Sequence, residues 1–244
     1  MKVTYDLMLI LVVVFELLQA ALCDLQTHNV SQFVQPVMQA STVPLAMTQN
    51  DFVYFVQQWQ ISICDRRPCL KPARPVFSIL GLWPSSYTGQ LLSNCNNGSR
   101  FNQQKISDLL IKLDAEWPSL LHEDNIMFWK EEWERHGICT ETKLNQHAFF
   151  QAALKLKQKY KLTEILQERG IYPFGNVYGL DSISNAITAM TGHRPQIQCN
   201  LFKQIPQLSQ IFLCFDTTAT KIIDCPQRRR CQHDAVMFPY TLGS

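Results

Sequence analysis

Glycine and proline are scarce, 9 and 12 of 244 residues, which excludes a fibrous or low-complexity chain. Charge is sparse too. Charged residues make up 17% of the chain, and 22 Lys+Arg against 20 Asp+Glu leave a formal +2. That mild excess permits an acidic partner without arguing for one. No CxxC pair and no Cys/His cluster with zinc spacing is present, so no metal site is expected. Beyond the first two dozen residues no apolar run approaches the ~20 residues that span a bilayer, and no membrane association is expected. What is present is apolar residue in quantity, 46%, enough to fill a sizeable core and to exclude wholesale disorder. The length suits one domain better than two.

Residues 1–23 read as a secretory leader. Lys2 is followed by an apolar run from Leu7 to Phe15, too short to span and interrupted by Glu16, and then by Ala20-Ala21-Leu22-Cys23. Cleavage after Cys23 and after Ala21 both fit. The first leaves 21 cations against 18 carboxylates and eight of the nine cysteines: Cys64, Cys69, Cys95, Cys139, Cys199, Cys214, Cys225 and Cys231. Eight thiols entering an oxidising compartment imply four disulfides, among 105 arithmetically open pairings. Sequons at Asn29 and Asn97 suit the same route and predict glycosylation there. The chain is therefore expected to be secreted and extracellular.

Residues 24–50, rich in Gln, Ser, Thr and Val, read as a loose N-terminal arm, and 51–244 as one domain. Aromatic and β-branched density predicts buried strands at Phe52–Ile63 and Val76–Leu82, the second stopped by Trp83-Pro84. Helical spacing predicts helices at Lys105–Trp117, Asn125–Gly137, Asn145–Tyr160, Thr163–Arg169 and Leu180–Thr191. Gln207–Asp216 and Thr220–Asp224 read as paired strands. Strands and helices interleave without strict alternation, which points to an α+β fold.

Two segments concentrate interest. In F128-W-K-E-E-W-E-R-H-G-I-C139, Glu132 and His136 are four apart and project from one helix face. A carboxylate there can orient an imidazole and hold it protonated, giving an acid/base pair. The plainer alternative is a solvated helix with i,i+4 pairs at Glu131–Arg135 and Glu132–His136. Of its aromatics, Phe128, Trp129 and Trp133 suit a core better than a ligand platform. In V76-F-S-I-L-G-L-W-P84, alternation puts Ser78, Leu80 and Leu82 on one face and Phe77 and Ile79 on the other. Alone, it is a buried strand and nothing more.

Together the two segments resemble the active-site signatures of the ribonuclease T2 family, secreted endoribonucleases that include the plant self-incompatibility ribonucleases. The family patterns are Phe-x-x-His-Gly-Leu-Trp-Pro and Phe-Trp-x-His-Glu-Trp-x-Lys-His-Gly-x-Cys. They stand here as F77-S-I-L-G-L-W-P84 and F128-W-K-E-E-W-E-R-H-G-I-C139. The likeness runs from about Phe52 to Met237 and includes Val177-Tyr-Gly-Leu-Asp181, which looks most like the plant pistil branch. It implies a T2-type fold, with an antiparallel sheet packed against several helices. The pairings it implies are Cys64–Cys69, Cys95–Cys139, Cys199–Cys231 and Cys214–Cys225.

The activity implied is RNA cleavage to a 2′,3′-cyclic phosphate, by a monomer that needs neither metal nor cofactor. One imidazole takes the 2′-OH proton and another protonates the 5′-oxygen. Carried over position by position, the catalytic His, Glu and Lys fall on His136, Glu132 and Arg135; Arg135 is still cationic and able to fork onto a phosphate. Trp83 and Phe128 match aromatics of the base site. Two positions depart. The first-signature His is Leu80, which carries no proton. The extra second-signature His is Glu131, which repels phosphate unless it turns to Arg135. The resemblance thus implies an RNA partner but severely weakened or absent cleavage. His122 is the nearest histidine that could stand in, ahead of His147, His193 and His233, with His28 in the arm. Without activity, storage or a pistil-type recognition role with protein partners remains. The basic run Arg228-Arg-Arg230 beside Cys231 offers a phosphate contact for a general RNA-binding role, against the plainer reading of solvated charge on a loop.

Overall fold

The computed structural model describes residues 51–95, 98–226 and 230–241. The expected leader, the arm, the sequons at Asn29 and Asn97, and Arg228 and Arg229 lie outside the described residues. In chain order the elements are β1 (Phe52–Trp59), α1 (Gln60–Arg66), β2 (Phe77–Ser85), a 3₁₀ turn (Gln103–Leu109) running into α2 (Leu110–Glu116), and α3 (Asn125–Arg135) with a 3₁₀ turn behind it (Gly137–Thr140). Then come α4 (Gln146–Lys159), α5 (Leu162–Gln167), β3 (Val177–Gly179), α6 (Leu180–Thr191), β4 (Gln196–Phe202), β5 (Ile205–Phe215), β6 (Ile222–Ile223) and β7 (Ala235–Met237). The architecture is the α+β expected.

The sheet runs β2-β1-β5-β7-β3, with β4 and β6 also pairing β5. It is mixed rather than antiparallel throughout, because β5 and β7 pair in parallel at Gln207 and Met237. On one face lies the main core, where Val53, Phe55, Trp59, Phe77 and Ile79 meet Trp117, Trp129, Trp133, Phe149 and Phe150. On the other is a smaller cluster of Phe52, Tyr54, Val56, Phe212 and the Cys214–Cys225 bridge. All eight residues of β1 are buried, the polar Gln57 and Gln58 included, so no in-and-out alternation marks this strand.

Three expectations shift. The run predicted as one strand to Ile63 ends at Trp59 and turns into α1, since a short apolar run does not distinguish strand from helix. Strand β2 does not stop at Trp83-Pro84 but continues to Ser85. Proline is tolerated because β2 is an edge strand: the Pro84 carbonyl accepts from the Leu92 N–H on the outer side, where its missing donor also points. And the alternation in β2 breaks. Val56 pairs with Gly81 but Gln57 with Ile79, leaving Leu80 as the extra residue of a β-bulge. Leu82 therefore joins Phe77 and Ile79 in the main core, while Leu80 packs on the smaller cluster across the sheet.

All four disulfides implied by the resemblance are formed: Cys64–Cys69, Cys95–Cys139, Cys199–Cys231 and Cys214–Cys225.

Candidate active site

Helix α3 presents the second signature. Asp124 caps it by accepting from the Ile126 N–H at 2.8 Å. Trp129 and Trp133 lie on its core face, fully buried. The opposite edge carries Phe128, Glu131, Glu132 and Arg135, and His136 closes the C-terminus with its N–H on the Glu132 carbonyl at 3.0 Å. The loop after β2 clamps this end. Asn94 N–H donates to the Arg135 carbonyl at 2.8 Å, and the Cys95–Cys139 bridge ties the loop to the turn behind the helix.

Strand β2 brings the first signature against it. The indole N–H of Trp83 donates to Glu132 Oε2 at 2.9 Å, and the Trp83 ring lies 5.5 Å from the His136 ring. Gly81 is what lets them meet. A Cβ there would run into the Trp83 indole nitrogen and Glu132 Oε2, so no larger residue fits without displacing the pair. The main chain at Leu80 is held from outside the strand, its carbonyl accepting from the Trp117 indole N–H at 3.1 Å.

Burial sets the electrostatics. Glu132 is 8% exposed, and loss of water pushes its carboxyl up to about 7, against the opposing pulls of the Trp83 N–H and the Arg135 charge. His136 is 7% exposed, and burial pulls its imidazole down to about 4; the Leu92 carbonyl resists and Arg135 adds to the fall. The expectation that Glu132 orients His136 and keeps it protonated is corrected. The Glu132 carboxylate turns to Trp83 and the His136 Nδ1–H donates to the Leu92 carbonyl at 3.3 Å, because both side chains are sealed in and neither charge is cheap to carry. The imidazole is neutral at neutral pH, with its Nε2 lone pair left as a proton acceptor.

The Glu131–Arg135 pair does not form either. Glu131 faces His122, with 3.7 Å between Oε2 and Nε2, and the His122 ring lies parallel to Phe128 at 6.1 Å. Both partners are over 40% exposed, so the pair adds little stability, but it places His122 beside the Phe128–Glu131 edge. Arg135 is exposed and forms no ion pair among the described residues. Of the other histidines, His147 pairs with Asp108 at 3.0 Å and His193 with Asp224 at 3.5 Å, each with carboxylates outside this site. A groove of about 1020 Å³ between α2, α4, α5 and the start of β2 is lined by Arg74, Lys112, Lys155, Lys157 and Lys161, and by none of Leu80, Trp83, Glu132 or His136.

Sequence reasoning missed Gly81, the Leu92 carbonyl and the Trp117 indole. Only Gly81 left a signal, as an isolated glycine inside a strand pattern.

Residues 50–225 match the profile of the Ribonuclease T2 family. The chain belongs to this family. It is 44% identical to Ribonuclease 3 of Arabidopsis thaliana over 198 residues, 78% of this chain and 89% of that protein. It is 31% identical to Ribonuclease S-2 of Nicotiana alata over 196 residues, 78% of this chain and 89% of that protein. The crystal structure of ribonuclease MC1 from the seeds of bitter gourd superposes with a TM-score of 0.73 at 32% identity, over 77% of this chain and all of that one. The T2 ribonuclease fold and a plant ribonuclease kinship that includes an S-type ribonuclease are thereby established.

Proposed function

We propose that this T2 protein is secreted, engages RNA at the Trp83–Glu132–His136 site, and cleaves it far more slowly than a T2 ribonuclease with a full pair of imidazoles. Four disulfides in the described chain support the oxidising route. Cleavage forms a bond from the 2′-oxygen to phosphorus and breaks the bond from phosphorus to the 5′-oxygen. One proton leaves the 2′-OH and one reaches the leaving oxygen. His136 Nε2 serves one of these transfers.

The observation that carries the reading is Leu80. It is the extra residue of a bulge, and its aliphatic side chain packs, as Trp83 does, on the Phe52–Tyr54–Phe212 cluster. Loss of one general acid or base costs typically 10²–10⁴-fold, and members of one catalytic unit lose more than separate effects predict. Glu131 adds a carboxylate on the phosphate side, 3.7 Å from His122.

The test is cleavage of single-stranded RNA by the purified protein beside Leu80→His/Glu131→His. A gain of roughly 10²-fold or more in the double variant is expected. Parent turnover equal to that of the variant refutes the reading. Should both stay inert while RNA binds, storage or pistil-type recognition becomes the role.

A second reading rests on His122, whose ring is carried to the Phe128–Glu131 edge. There it supplies the second imidazole and sustains slow turnover. Residual cleavage that drops by at least tenfold in His122→Ala and vanishes in His136→Ala supports this reading; cleavage indifferent to His122 removes it.

A further inference from the structure

The outer face of the sheet continues past the site as an aromatic floor. The Trp83 ring, 5.5 Å from His136, lies 6.0 Å from the Phe212 ring, and Tyr54 abuts Phe212 edge-on at 5.5 Å. At the far side of this floor stands Arg230, its guanidinium carbon 4.3 Å from the centre of the Phe212 ring and 5.0 Å from that of Tyr54.

The sequence suggested a solvated charge, but Arg230 is half-buried and held three ways. Its guanidinium lies over both rings as a cation–π partner. Its Nε–H donates to Gln196 Oε1 at 2.6 Å, and Gln196, itself 4% exposed, is anchored through its Nε2 to the Pro226 carbonyl. Its chain neighbour Cys231 is bridged to Cys199 on β4. Among the described residues no carboxylate pairs with it, and neither terminal Nη group has a partner. A guanidinium carries five N–H donors, and one is spent. A cation that loses water without gaining a counter-ion is costly, and a rigid fork with free donors matches the geometry of a phosphate.

We propose that Arg230 is a second phosphate-binding residue for RNA, holding a phosphodiester that neighbours the one at His136. The inference rests on the reading that the site takes RNA. Because Phe212 and Tyr54 are sealed, at 1% and 0% exposure, their faces are not open to stacked bases; the contact is with the backbone and is indifferent to sequence. It also gives the protein a grip on RNA that does not depend on the residues altered in the first and second signatures.

The test uses the folded, disulfide-bonded protein and two fluorescent ligands that lack the 2′-OH nucleophile: a 2′-fluoro RNA octamer and a 2′-fluoro dinucleotide, with affinity followed by anisotropy across a salt series. Arg230→Gln is expected to weaken the octamer about tenfold and to lower its log–log salt slope by about 0.7, leaving the dinucleotide unchanged. Arg230→Lys keeps the slope and loses part of the affinity, which separates charge from folding should the glutamine variant misfold. Octamer binding by Arg230→Gln equal to the parent overturns the assignment, as does an equal loss on both ligands. A parent that binds the octamer while Arg230→Gln changes nothing leaves the RNA reading standing; a parent that binds neither ligand removes both.

Discussion

Glu132 and His136 should hide one another's effect on stability. The Glu132 carboxyl moves from 4.5 in the unfolded chain to about 7 when folded. Between those pH values the unfolded chain has released a proton that the folded one keeps, so stability falls as pH rises through the window. At about 1.36 kcal/mol per pH unit the fall is about 3 kcal/mol. The His136 imidazole moves the opposite way, from 6.5 to about 4. Between these values the unfolded chain takes up a proton that the buried ring refuses. Stability is then present in full above 6.5 and is lost as pH drops toward 4, again by about 3 kcal/mol. From pH 4.5 to 6.5 the two nearly cancel, and the parent protein should show little pH dependence from this site.

Removing one partner unmasks the other. Glu132→Gln keeps an acceptor for the Trp83 N–H, and the causes acting on His136 are burial, the Leu92 carbonyl and Arg135, none of which the change removes. Its stability should climb by about 3 kcal/mol from pH 4 to 6.5, while the parent stays nearly level over 4.5–6.5. His136→Asn should show the mirror image, a decline across 4.5 to 7. Urea unfolding at a series of pH values, disulfides intact and followed by tryptophan fluorescence, gives the slopes. Carboxylates elsewhere, such as Asp216, are common to all three proteins and drop out of the comparison. Identical pH profiles for the parent and Glu132→Gln would refute the claim that burial governs this pair.

Two further expectations concern the frame of the site. Gly81→Ala forces a methyl group against the Trp83 nitrogen and Glu132 Oε2, and should cost roughly 1–3 kcal/mol by overpacking, read as a lower urea midpoint. Replacing the Cys95–Cys139 pair by serine, across a separation of 44, should cost about 4 kcal/mol by chain entropy, against about 2 for Cys64–Cys69 with a separation of 5; equal midpoint shifts for the two variants would argue against loop entropy as the source.

What was legible in the sequence depended on how local its cause was. Helix α6 spans the Leu180–Thr191 expected, because Gly192 ends it in the left-handed conformation at φ +77°. The disulfide pairing followed from the likeness carried by the two signatures. Strands β3 and β7, three residues each, are too short to show a period, and β4 acquires its role only by lying against β5. The bulge at Leu80 exists in the pairing of two strands, and its one trace in the sequence is the glycine beside it. The i,i+4 spacing of Glu132 and His136 was read correctly as a shared face, but spacing carries no information on burial, and burial decides which of the two is charged.

The mooring of Leu80 by Trp117 has a consequence for substitution at that position. The backbone there is held by an indole 37 residues away in sequence, through the carbonyl oxygen, an atom that every amino acid carries alike. The bond that fixes the main chain at position 80 is thus independent of the side chain carried there.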